Sequence, residues 1–308
     1  MIRPESGSFT PCAPELVREV RELAVAGHER FEKEVWACLP EAAVPGVTPN
    51  PSYHNEHHVA AVCDGIEAVF LALEAGSDPL GIDRGARLWA DSTGGPEPGR
   101  EALRTAFGVA FACHDLGNIA ASARVSLDGN GLGLEHARLY DSSSLYSTPA
   151  VEIRSAAIAH ALLLSKGGPC GRTPALTRLV EHLVLQTVFH FEKVFDAAPF
   201  WLPIQVVDMI GSYFFLSTTR FEAIAGLFAE MRVQRAGSIP VQPFLSSLEE
   251  RFEKLVTDPG ARREVLGIFE SNALGRTRET IFTVPDRFRG MSRPVPYAEA
   301  IVALLTPG

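Results

Sequence analysis

Ala106-Phe107-Gly108-Val109-Ala110-Phe111-Ala112-Cys113-His114-Asp115-Leu116-Gly117 is the stretch on which the fold turns. An apolar run leads without a break into a histidine and an aspartate. It follows a charged opening, Arg100-Glu101-Ala-Leu-Arg104, and stops at Gly117-Asn118. This is the pattern of a helix covering roughly 101–116, apolar on every face and so buried in a core. An ionised aspartate at the end of a buried helix is costly unless a cation or hydrogen bonds hold it. The stretch therefore predicts a helical core that carries chemistry at one end.

Helical spacing recurs on both sides. Leu16, Val17, Val20, Leu23 and Ala24 mark an amphipathic helix over 14–38. Residues 39–51 hold four prolines and read as a loop. Asn50-Pro51 reads as an N-cap and first helical residue, opening a helix from about 52 to 75. Its stripe is Val59, Val62, Cys63, Ile66, Val69 and Phe70. Residues 91–100 read as a linker and 128–133 as a glycine-rich turn. Further helices are expected near 134–146, 149–165, 174–196, 200–216, 218–232, 241–256 and 259–272, before a less regular tail. Few segments alternate at period two, so the fold class is all-α. The expected organisation is an N-terminal helix and loop (1–50), a helical domain (51–232) and a C-terminal helical extension (233–308) packed on the same domain.

The chain has 308 residues and a net charge of −9. Such a balance disfavours nucleic-acid or anionic-membrane binding, which wants clustered Lys and Arg. A phosphate-bearing substrate stays open, because bound divalent cations supply local positive charge. Five scattered cysteines without a CxxC pair argue against a disulfide framework and for a reducing, cytoplasmic location. No secretory leader or membrane-spanning run is evident.

Histidines and aspartates supply the candidate site. Tyr53-His54-Asn55-Glu56-His57-His58 is rich in ligating side chains, and His114-Asp115 closes the apolar helix. His136, His160 and Asp208 each lie in apolar helical surroundings. A lone histidine on an apolar helix is more often a hydrogen-bonded core residue than a ligand. Asp208, inside Ile204-Gln-Val-Val-Asp-Met-Ile-Gly211, is harder to explain that way, since burial raises a carboxyl's pKa unless a cation holds it ionised. His and Asp suit Mn, Mg, Zn or Fe. Glu56, His57 and His190 have bland readings as solvated or core positions, and the turn Asp128–Gly133 lacks the Gly-Lys-Ser/Thr of a phosphate loop.

Taken in order, His58, His114-Asp115, His136, His160 and Asp208 resemble the HD-domain superfamily, whose pattern is H…HD…H…H…D on helices around one cavity. The element at 53–58 is similar to the YHNxxH signature of cyclic-nucleotide phosphodiesterases, a branch of that superfamily. The resemblance covers roughly 50–215. It implies an HD-domain helical bundle with extra N- and C-terminal helices. It implies two divalent metal ions, the first held by His58, His114, Asp115 and Asp208, with Asp115 bridging to a second that His136 and His160 complete. It implies a phosphohydrolase acting on a small phosphomonoester or phosphodiester through a metal-activated hydroxide, with His54 as the general acid, sharing a helical face with His58. Val188 departs from the family, standing where the nucleotide-cleaving branch carries an acid. The same ligand order also suits a non-haem di-iron oxygenase, and a non-catalytic metal-binding module is a third possibility.

Overall fold

A computed structural model describes residues 9, 12, 15–34, 53–117, 150–187, 198–216, 238–239, 249–282 and 295–296. The described chain is helical, as expected. Its one extended pairing, between two-residue strands Ser238–Ile239 and Val295–Pro296, is antiparallel. The helices with described bounds are α1 (Glu15–Glu34), α2 (Glu56–Glu74), α3 (Ile82–Thr93), α4 (Arg100–Cys113), α5 (Ala150–Lys166), α6 (Pro174–Leu185), α7 (Trp201–Val206), α8 (Pro259–Asn272) and α9 (Arg278–Phe282), and residues 249–255 are helical too. After α7 the chain passes through a π-helical turn, Val207–Gly211, into a last α turn, Ser212–Phe215. The loop at 39–51, the glycine-rich turn at 128–133, the helices expected at 134–146 and 218–232, and His136, Val188 and His190 lie outside the described residues.

The apolar runs explain the arrangement. α2 and α4 bury residues around most of their circumference and form the centre. α1 packs on both through the stripe Leu16, Val20 and Ala24. α6 packs on α4 and α5, while the π turn, Ser212–Phe215 and α8 cover α2. One apolar core runs through all these elements. Phe107 sits at its middle, edge-on to Phe70 and Phe200 at centroid distances of 5.7 and 5.4 Å. The C-terminal α8 joins the core through Phe269, 5.7 Å from Phe214.

The helix expected over 174–196 ends at Leu185, and three further differences from the sequence expectation bear on the site. α2 begins at Glu56, not near 52: Asn55 is the N-cap, its Oδ1 accepting from the His57 and His58 amides at 3.0 and 3.1 Å. His54 therefore precedes the helix and shares no helical face with His58. Residues 82–93 form a helix that the sequence reading missed, partly in the expected linker. Ile82, Ala86 and Trp89 are its buried stripe, and the Asp78 carboxylate accepts from the Ile82 and Asp83 amides. The third is the interruption at Val207–Gly211 of a helix expected to be continuous over 200–216.

The cysteines require a correction as well. Cys12 and Cys170 form a disulfide, with Cα atoms 5.3 Å apart and a sequence separation of 158. The fold brings the segment before α1 against the single turn Gly168–Gly171, a proximity that linear spacing cannot reveal. The cysteine-based ground for a reducing compartment is thereby removed. Among the described residues, no helix is long and apolar enough to cross a membrane. Peptide mapping without reductant is expected to recover a Cys12–Cys170 linked peptide, and reduction is expected to lower stability by up to about 5 kcal/mol, the loop-closure figure for a loop of this size. Recovery of both as free thiols from native protein contradicts the pairing.

Candidate metal centre

Three elements bring the site together. His58 lies in the first turn of α2, His114 and Asp115 at the C-terminal end of α4, and Asp208 in the π turn. A π turn rotates side chains away from α-helical register, and such turns are common at functional sites. Here it takes Asp208 out of an apolar run and sets its Oδ1 3.6 Å from His58 Nε2 and 3.7 Å from His114 Nε2. Close approach makes this possible: a Cβ on Gly65 of α2 would lie 3.3 Å from Val207 Cγ1 and 3.7 Å from the Gly211 backbone.

His58 Nε2 and His114 Nε2 are 3.2 Å apart. Asp115 Oδ2 lies 3.3 Å from the first and 2.9 Å from the second. Metal–donor bonds of about 2.0–2.2 Å put neighbouring donors about 3.0 Å apart at right angles and about 3.4 Å apart at the tetrahedral angle. The observed separations fall in or near that range. The ligand atoms form two overlapping groups, His54–His58–Asp115 and His58–His114–Asp208, each within 4.8 Å. These buried groups can hold a metal ion. His54 Nε2 stands 4.0 Å from Asp115 Oδ2, its ring edge-on to that of His58 with 5.4 Å between centroids. Tyr53 covers His58 at 4.8 Å.

Hydrogen bonds and charge fit the same conclusion. His114 Nδ1 is 2.8 Å from the Phe111 carbonyl, which only accepts, so Nδ1 donates there and Nε2 is turned into the site. Asp115 Oδ2 and His58 Nδ1 are buried without a hydrogen-bond partner. Burial alone would push Asp115 up, but His114, His54 and His58 hold it well below the usual carboxylate range. Burial likewise opposes a proton on His114, yet Asp115 and Asp208 pull its pKa above the ordinary histidine value. Burial lowers His58 and raises Asp208. The donor set thus draws positive charge to a spot that burial would otherwise keep neutral.

His160 is not brought into the cluster. It stands on α5, half-exposed, with Nδ1 2.6 Å from Glu181 Oε1 of α6, and it joins neither group. Two residues the sequence reading passed over lie beside the site instead. His28, on α1, is buried and donates from Nδ1 to the His54 carbonyl at 3.0 Å. Burial lowers its pKa to about 3, and Asp115, His114 and His54 act on it electrostatically. It continues the stripe Leu16, Val20, Ala24 at the next i+4 step, which is the signal that could have found it. Glu152, on α5, is 8% exposed, and its Oε2 has no hydrogen-bond partner. Burial, then the charges of Asp115 and Asp208, raise it to about 7. Gly117 seats this end of α5: its amide donates to Ser155 Oγ at 2.8 Å, Arg154 Nε donates to its carbonyl, and a Cβ there would lie 2.1 Å from the Val151 carbonyl oxygen.

No protein-family model matches the chain, and no curated protein or solved structure matches it. What the fold and site define is a helical protein with a buried histidine–aspartate cluster able to hold metal.

A raised carboxyl pKa contributes stability below the unfolded value, near 4.5, and loses it as pH rises through about 7. Glu152→Gln cannot ionise. In metal-free protein it is expected to gain stability over wild type from about pH 5 to about pH 8, by up to about 3 kcal/mol. Paired urea melts in chelator read the gap, and a difference that stays flat across this range contradicts the environment assigned to Glu152.

Proposed function

We propose that the protein is a metal-dependent phosphohydrolase acting on a small phosphomonoester or phosphodiester. The observation that carries this reading is the convergence of His58 Nε2, His114 Nε2, Asp115 Oδ2 and Asp208 Oδ1, from three elements, at separations of 2.9–3.7 Å. It is joined by the resemblance of His58, His114-Asp115 and Asp208, in that order, to HD-domain hydrolases. The residues suit a divalent ion in the Mn, Zn or Fe range, since two imidazoles and two carboxylates form a mixed nitrogen–oxygen set. A bound cation here supplies Lewis acidity and lowers the pKa of water, so that a nucleophile exists near neutral pH.

The chain's own groups do the rest. His114, oriented by the Phe111 carbonyl, and His58, under Tyr53, fix one side of the cluster. Asp115 and Asp208 bring two negative charges that a cation neutralises. Two groups stand beside the cluster as candidates to protonate a leaving oxygen: His54, which the resemblance favours, and Glu152, whose carboxyl is raised to about 7. The net charge of −9 disfavours a polyanionic partner, so a small substrate fits better than a nucleic acid.

A second reading, a redox-active di-iron oxygenase, draws support from the nitrogen richness around Asp115, where His54, His58 and His114 all face one carboxylate. Turnover of aryl phosphate mono- and diesters with Mn, Mg, Zn or Fe is the deciding assay. His114→Ala, Asp115→Asn and Asp208→Asn are expected to lose about 100-fold or more, while His160→Ala retains most activity. No turnover across that panel, together with tightly held iron and a mixed-valent EPR signal, overturns hydrolysis in favour of oxygenation.

A further inference from the structure

The start of α8 borders a cavity that the metal centre does not use. Its volume is about 260 Å³, just below the range of about 300–1,000 Å³ of drug-sized ligand sites, a size that suits a small molecule. The helical segment 249–255 and the first residues of α8 and α9 line it. Phe252 and Leu266, 2% and 6% exposed, give it an apolar wall. Arg262, Arg263 and Arg278 line the rest, against the single carboxylate of Glu253. Guanidinium groups gathered in this way run against the net charge of −9. The metal centre stands apart from them. Phe269, against which a Cβ on Gly211 of the π turn would lie at 3.1 Å, comes ten residues after the cavity-lining Pro259, about 15 Å along α8.

We propose that this cavity binds a small organic anion, its phosphate or carboxylate head held by the arginines and its apolar body laid on Phe252 and Leu266. Each arginine contributes differently. Arg263 makes no ion pair or hydrogen bond among the described residues, so its planar fork of donors is open to a ligand's oxygens. Arg262 is anchored: its Nη1 meets Glu253 Oε1 at 2.8 Å, its Nε is buried without a hydrogen-bond partner, and its side chain is 22% exposed. A cation held partly out of water attracts an anion more strongly than a fully hydrated one does. Arg278 is steered by Glu249, which does not line the cavity. Asp258 already caps α8, accepting from the Ala261 amide at 2.7 Å, so the arginines and not the helix end define the site. An inorganic ion uses the charges alone, whereas charge beside an apolar wall selects a molecule with both parts. Nothing in this inference depends on the metal-centre reading.

The test is isothermal titration of the full chain, stripped of metal and returned to chelator-free buffer, with phenyl phosphate, benzoate and inorganic phosphate. At least one of the two aryl anions is expected to saturate a single site per chain, and the tighter of them names the head group. Inorganic phosphate is expected to bind at least about 10-fold more weakly than the tighter one, because it leaves the apolar wall uncovered. Arg263→Gln, an exposed change, is expected to keep a circular-dichroism melt near that of wild type and to weaken the aryl anion about 10-fold or more, the loss of one charged hydrogen-bonding group. His114→Ala, which disables the metal centre, is expected to leave this binding unchanged. No saturable binding of either aryl anion overturns the proposal. So does binding that Arg263→Gln leaves unchanged, or that His114→Ala abolishes, or that inorganic phosphate matches.

Discussion

Two imidazole nitrogens 3.2 Å apart, with a carboxylate oxygen at 2.9 and 3.3 Å, sit where water does not reach. The oxygen makes no hydrogen bond, and one ring is locked with its Nε2 inward. In a solvated setting such groups would turn outward and hydrate. Here the two central helices, buried on nearly all sides, leave them nowhere to go. The site is a consequence of packing α2 against α4, and a positive charge between the donors relieves what packing imposes. The rest follows from that constraint: the π turn that delivers Asp208, the glycines that let α2 and α5 close in, and α1 laid across the top.

The centre of the fold was legible in the sequence because its signals are local. The run 106–112 is apolar on every helical face, so burial of α4 and a costly Asp115 at its end follow from composition alone. Asp208 was legible for the same reason, as a charge with no polar neighbour but Gln205 in Ile204–Gly211. The order of His58, His114 and Asp115 pointed to the same cluster. What stayed hidden depends on tertiary proximity. His28 looks like any residue of an amphipathic helix until α1 is placed against the end of α4. Glu152 sits in the first turn of α5, where acids are ordinarily solvated, but that turn packs closely on Gly117 and the residue is buried. His160 stays apart from the described cluster because an apolar context says that a residue is covered, not by what: its Nδ1 meets Glu181 from α6.

Local capping chemistry accounts for the other differences. Asn50-Pro51 and Asn55 both suit a helix start, and the competition is decided at Asn55, whose side chain satisfies two amides. That choice moves His54 off the helix, yet its ring still meets that of His58, held by the backbone contact with His28. The Cys12–Cys170 bridge is likewise a matter of where α1 lies relative to the turn after α5. It ties to the core the same segment that leads into α1 and His28, so the covering helix is fastened covalently near its start.

Elemental analysis of protein purified without added metal addresses the central claim most directly. The account predicts at least one equivalent of a transition-series ion per chain, surviving gel filtration and falling to background in Asp208→Asn protein that remains folded. A folded wild-type chain carrying no stoichiometric metal, and acquiring none after dialysis against Mn, Zn or Fe, contradicts it.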